Sequence, residues 1–153
     1  MKVTVLGIGN SVMGDDAVGL ELMARLQPTW AADARVEFVH GETGGMELLS
    51  DVTDAEALLI LDAVAGPVPG QAVRIGGDQV PRLLAAKLSP HQVGMLDLLA
   101  AARLLGKEPQ LVEVVGVTPS DIDIRIGLSE TVARGLEDAV LLANQALSEL
   151  LAA

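Results

Sequence analysis

The chain has 153 residues, enough for one domain with a substantial core, and half of them are hydrophobic although Trp30 and Phe38 are its only aromatic residues. Against 10 basic residues stand 21 acidic ones, a net charge of −11, and such a surface repels phosphate backbones, excludes nucleic acid as a partner and favours a basic one. The lack of cysteine excludes disulfides, thiolate metal ligands and a cysteine nucleophile.

Lys2–Gly9 is β-branched and apolar and runs into Gly7-Ile8-Gly9-Asn10, the pattern of a buried strand ending in a tight turn. The apolar run is too short for a signal peptide, and Asp15-Asp16 follow where a small-residue cleavage site belongs. Asp15 or Asp16 is expected to cap a helix that continues through Leu20, Met23, Ala24 and Leu26 until Pro28 stops it. Arg35–His40 is predicted as a second strand, and Thr43-Gly44-Gly45 leads into a short helix over Met46–Asp51. Ala57–Val64 is almost continuously apolar, as in the middle of a parallel sheet. Gly66–Gly70 is predicted as a turn and Gln71–Gly76 as an edge strand.

Helices are expected over Val80–Ala86 and Gln92–Leu105, with Ser89-Pro90-His91 as the loop between them. Leu111–Val117 is another buried strand, Thr118-Pro119-Ser120 a turn, and Asp121–Ile126 an extended segment. Ser129 is expected to cap a last helix whose apolar stripe is Val132, Leu136, Val140, Ala143, Leu147 and Leu150. Strands alternating with helices predict one α/β domain over residues 1–153, doubly wound, with a mostly parallel twisted sheet and helices on both faces. No stretch approaches the roughly 20 apolar residues of a membrane span. A soluble, cytoplasmic protein without membrane association is expected.

In such a sheet ligands bind outside the carboxyl ends of the strands. The polar residues predicted there are Asn10, Asp15 and Asp16 after the first strand, His40, Glu42 and Thr43 after the second, and Asp62 in the third. Asp62 is flanked by Ile60, Leu61, Ala63 and Val64, and a carboxylate in such surroundings must be hydrogen-bonded, paired or bound to a cation. Its plain structural reading is a cap or an acceptor of backbone N–H groups. Asp15-Asp16 likewise suit the first turn of a helix through capping and the macrodipole, which accounts for one of the two. His91 opens a helix, where a neutral imidazole suits the dipole, and a neutral imidazole is also what a metal requires. A lone loop histidine, His91 or His40, is more often an ordinary surface residue.

The familiar motifs fail. Gly14 lies five residues after Gly9, so the dinucleotide fingerprint is broken, and two aspartates there oppose a pyrophosphate. No Gly-x-Ser-x-Gly elbow, His-Glu-x-x-His or Walker lysine is present. Two carboxylates and an imidazole remain, a donor set suited to a borderline divalent metal such as nickel or zinc.

Gly7-Ile8-Gly9-Asn10 with Asp15-Asp16-Ala17-Val18-Gly19 resembles the opening motif of the hydrogenase maturation endopeptidases. The resemblance continues, in family order, through Thr43-x-Gly45-Met46-Glu47-Leu48-Leu49, Asp62-Ala63, Ser89-Pro90-His91-Gln92, Val115-Gly116-Val117-x-Pro119 and Ile126-Gly127-Leu128-Ser129. It implies an α/β fold and an endopeptidase that removes a C-terminal peptide from the nickel-loaded [NiFe]-hydrogenase large-subunit precursor, cutting after a His or Arg. It also implies that nickel is supplied by the substrate, with no organic cofactor, and that Asp16, Asp62 and His91 recognise the metal and serve catalysis. Some relatives carry Glu at position 16, and the loop that often reads Asp-Gly-Gly-Thr is His40-Gly41-Glu42-Thr43 here. A monomer is expected. Two rivals use the same crevice: a non-enzymatic metal- or nucleotide-binding assembly chaperone, and a metallohydrolase holding its own zinc.

Overall fold

The computed structural model describes residues 1–42, 46–77, 80 and 90–153, with the side chains of residues 90–96 outside the description. Its strands are β1 (Val3–Ile8), β2 (Val36–Glu42), β3 (Ala57–Ala63), β4 (Ala72–Gly76) and β5 (Leu111–Val117). Helices α1 (Val18–Trp30), α2 (Leu49–Thr53), α3 (Pro90–Leu104) and α4 (Glu130–Ala152) connect or follow them, with short 3-10 turns at Gly14–Ala17 and Met46–Leu48. The strands form one sheet in the order β2-β1-β3-β5-β4.

The most apolar strand occupies the middle, as the sequence predicts. Every residue of β3 is buried, because its alternate side chains serve two separate cores. Leu59 and Leu61 face the core covered by α1 and α4, alongside Val5, Val115, Leu22, Leu136 and Leu147. Leu58 and Ile60 face the other, alongside Leu6, Ile8, Val114, Val52 and Leu98, beneath α2 and α3. Burying one such side chain contributes about 1.5–3 kcal/mol. The doubly wound α/β architecture with helices on both faces is therefore what the two-sided burial produces.

Strand β1 runs parallel to β2 and to β3, and β3 parallel to β5, with Asp62 opposite Gly116. Strand β4 is antiparallel to β5 at the sheet edge. The connection over residues 64–71 contains no helix. A chain without a crossover segment cannot return to the amino ends of the strands, so it must run backward. The Gly66–Gly70 turn and the edge strand agree with the sequence reading.

Four expectations change. Pro28 lies inside α1, which continues to Trp30. The indole of Trp30 donates from Nε1 to Asn144 Oδ1 at 2.8 Å and packs on the core, so tertiary contacts carry the helix past the proline. Asp15 and Asp16 do not cap α1, which starts at Val18 with no side-chain cap; both sit in the preceding 3-10 turn with other partners. Asp121–Ile126 is irregular rather than extended, with an isolated bridge between Met13 and Arg125. His91 is in the first turn of α3, which begins at Pro90, a residue whose fixed φ suits that position. The helix expected over Val80–Ala86 lies outside the described residues, apart from the buried Val80. Ser129 caps α4 as expected, its hydroxyl accepting from the Val132 N–H.

Candidate functional site

The carboxyl end of β1 turns sharply at Gly9, whose φ is +151°. A side chain there would run into the carbonyl of Asp16, so glycine is what lets the following turn fold back over the strand end. That turn is tied internally. The Met13 N–H donates to Asn10 O at 3.1 Å and the Asp16 N–H to Met13 O at 3.1 Å. The Asn10 side chain accepts from the Val12 N–H at 3.1 Å. The Asp16 carboxylate is buried and accepts from the Asn10 N–H at 3.0 Å through Oδ2.

Gly19 then seats α1 on the sheet. A Cβ at this position would overlap the carbonyl oxygens of Ile8 and Leu61, so the helix backbone rests directly on the ends of β1 and β3. The next residue of β3 is Asp62, fully buried, whose Oδ1 accepts from the Ala63 N–H at 2.7 Å. The 3-10 turn bearing Asp16 packs against β3. Both carboxylates thus reach the same end of the sheet, the end where open parallel sheets place their ligands. His91 belongs to the first turn of α3, and its imidazole lies outside the described residues. Among the described residues no three His, Cys, Asp or Glu side chains converge in a metal-holding cluster.

Asp15 is used differently from its neighbour. Its fully buried carboxylate accepts from the N–H groups of Ser120 (2.9 Å), Asp121 (2.8 Å) and Ser129 (2.6 Å) and from the Ser129 hydroxyl (2.8 Å). Burial raises its pKa, but the hydrogen bonds from Ser129, Asp121 and Ser120 together outweigh it and hold the group below the ordinary carboxylate range. Sequence reasoning placed Asp15 at the site edge but did not find this role. The donors lie more than a hundred residues away, and no local pattern announces them.

His40 is exposed within β2, opposite Gly7, rather than in a loop. Glu42 is exposed at φ +39°, and its carbonyl accepts from the Gly9 N–H at 3.0 Å. Thr43 lies outside the described residues.

Fold and site together define a doubly wound α/β protein with buried carboxylates at the carboxyl ends of its parallel strands. A family profile described as hydrogenase maturation protease matches residues 20–146. The chain is 36% identical over 151 residues to the hydrogenase 2 maturation protease of Escherichia coli K12, covering 97% of this chain and 92% of that one. It is 35% identical over 146 residues to the hydrogenase expression/formation protein HupD of Thiocapsa roseopersicina, of which it spans 66%. Its structure resembles that of the hydrogenase maturating endopeptidase HybD from Escherichia coli, with a TM-score of 0.89 at 35% identity over 97% of this chain and 93% of that one. The likeness extends to the [NiFe] hydrogenase maturation protease HybD of Thermococcus kodakarensis, with a TM-score of 0.76 at 26% identity over 95% and 99% of the two chains. The chain belongs to the hydrogenase maturation protease family.

Proposed function

We propose that this protein is an endopeptidase that removes the C-terminal extension of a nickel-loaded [NiFe]-hydrogenase large-subunit precursor, cutting after a His or Arg. The observation that carries this reading is the placement of Asp16 and Asp62, in a member of this family, as buried carboxylates at one end of the sheet. Nickel is part of the substrate in this proposal. Asp16, Asp62 and His91 recognise it and hold the scissile bond beside it. A divalent ion so held polarises a carbonyl or activates water, which suits a chain without cysteine. The net charge of −11 favours encounter with the basic residue at the cut. No described helix is long and apolar enough to cross a membrane, and we place the reaction in the cytoplasm, performed by a monomer.

The test is cleavage of nickel-loaded precursor, followed as a size shift beside thermal unfolding of each variant. Asp62→Asn and His91→Ala are expected to remain folded and to lose processing, and Asp16→Glu to keep part of it. His40→Ala, altering an exposed strand residue, loses much less. Near wild-type cleavage by Asp62→Asn and His91→Ala would refute the three-residue site. A precursor left uncut by the wild-type chain would refute the endopeptidase reading and favour an assembly chaperone.

A further inference from the structure

The segment from Ser120 to Ser129 is irregular and well braced, and it exposes two isoleucines among charged residues. Three backbone hydrogen bonds join it to the turn that precedes α1. The Gly14 N–H donates to Arg125 O at 2.9 Å, the Asp15 N–H to Asp121 O at 2.7 Å, and the Arg125 N–H to Val12 O at 2.9 Å. Gly14 itself, at φ +56°, passes so close to Asp121 that a Cβ would lie 2.6 Å from its carbonyl oxygen. The segment also braces itself. Asp121 accepts from the Asp123 N–H at 2.9 Å and pairs with Arg125 at 2.9 Å. The four bonds to the Asp15 carboxylate grip both of its ends, at Ser120-Asp121 and at Ser129.

Among the charged Asp121, Asp123 and Arg125, this bracing also presents apolar side chains. Ile124 and Ile126 are 84% and 86% exposed, and Val12, next to the bridge between Met13 and Arg125, is 47% exposed. The bonds that satisfy the buried Asp15 carboxylate also fix a loop of a kind that ordinarily tolerates mobility. Asp15 and Asp16 are consecutive, so the residue that grips the loop shares a turn with the carboxylate at the site.

We propose that Asp15 is a positioning residue, which sets the segment Ser120–Ser129 against the turn bearing Asp16 so that Val12, Ile124 and Ile126 receive an apolar part of the substrate beside the site. The inference rests on the functional reading above, in which the occupant is the large-subunit precursor. Asp15 touches no reacting atom in this scheme; it acts through the loop. Asparagine at position 15 keeps the shape, yet its amide turns an N–H₂ toward N–H donors and cannot satisfy all four.

The experiment measures precursor affinity, kcat and KM for cleavage, amide hydrogen exchange and thermal unfolding, with wild type, Asp15→Asn and the double variant Ile124→Ser/Ile126→Ser. Asp15→Asn is expected to speed exchange at Ser120, Asp121 and Ser129 while Leu59 and Ile60 in β3 keep their protection. Its KM and its precursor Kd should rise about tenfold, the order of a lost set of apolar contacts, with a smaller change in kcat. The double variant alters only exposed side chains, so it should melt like wild type and still raise KM and Kd. Activity of Asp15→Asn that falls only with its folded fraction, at unchanged KM, would overturn the proposal. If Asp15→Asn does not fold, Ser129→Ala, which removes the hydroxyl bond to Asp15, takes its place: raised KM and Kd in both it and the double variant uphold the proposal, and unchanged values in either overturn it. A wild-type chain that binds precursor without cutting it refutes the endopeptidase reading, and the two Kd comparisons then judge the loop separately.

Discussion

Gly19→Ala is the most direct challenge to the way the site is built. In a helix the exchange normally favours folding, by about 0.5–1 kcal/mol, because alanine has less backbone freedom to lose. Here the added carbon meets the carbonyl oxygens of Ile8 and Leu61, both backbone atoms that no rotamer change can move aside. Overpacking an interior typically costs about 1–3 kcal/mol, and rigid obstacles place this case at the upper end. The net loss is about 2 kcal/mol, which for a chain of this size lowers Tm by roughly 4–8 °C. Relief requires α1 to lift off the ends of β1 and β3, which also displaces the turn carrying Asp16 from Asp62. Gly106→Ala is the matched control. Gly106 has φ +69° with nothing within 4 Å of a built Cβ, so the change costs about 1–2 kcal/mol through backbone strain alone. It lies between α3 and β5, at the amino end of that strand and away from the site. Both variants are assayed by calorimetry and by precursor cleavage well below their melting temperatures. Gly106→Ala is expected to cleave normally while folded, and Gly19→Ala to be impaired even when folded. A Gly19→Ala protein as stable and as active as wild type would refute the direct seating of α1 on the strand ends.

Ser129→Ala removes both the cap on the Val132 N–H and the hydroxyl bond to Asp15; it should cost about 1–2 kcal/mol in a denaturant titration. Because the folded-state pKa of Asp15 lies below its unfolded value, its contribution is fully present above the unfolded pKa and is lost as pH falls through the folded one. Stability measured from about pH 5 down to about pH 2 should therefore decline, and less steeply in Asp15→Asn than in wild type. Equal slopes would show that Asp15 is not the group responsible. Asp33, held at about 2 by Arg35, acts in the same direction from the surface and serves as the comparison. Processing should resist thiol- and serine-directed reagents, since there is no cysteine and no serine elbow. Inactivation with covalent labelling of this chain would overturn that mechanism.

The local pattern of side chains was enough to place β1, β3 and β5, the Gly66–Gly70 turn, the edge position of β4 and the Ser129 cap. Continuous apolar runs, glycine-proline punctuation and capping residues act within a few positions along the chain, so they are visible without a fold. The same holds for the oddity of Asp62, a carboxylate inside an apolar strand, and for its place at a strand end. Only the tertiary structure decided which carboxylate meets which donors. Asp15 and Asp16 are chemically identical neighbours, and either suits the first turn of a helix. The folded chain aims Asp15 at donors from Ser120, Asp121 and Ser129 and leaves Asp16 with the Asn10 N–H at the end of β1. The passage of α1 beyond Pro28, the antiparallel run of β4 and the irregular path of residues 121–126 have the same origin. Each depends on partners distant in sequence: Asn144 for Trp30, β5 for β4, and the turn before α1 for the loop. Local propensity differs by a kcal/mol or so between alternatives, about the size of one hydrogen bond. Several long-range bonds and a buried side chain outweigh it, and those exist only once the sheet has brought the two parts of the chain together.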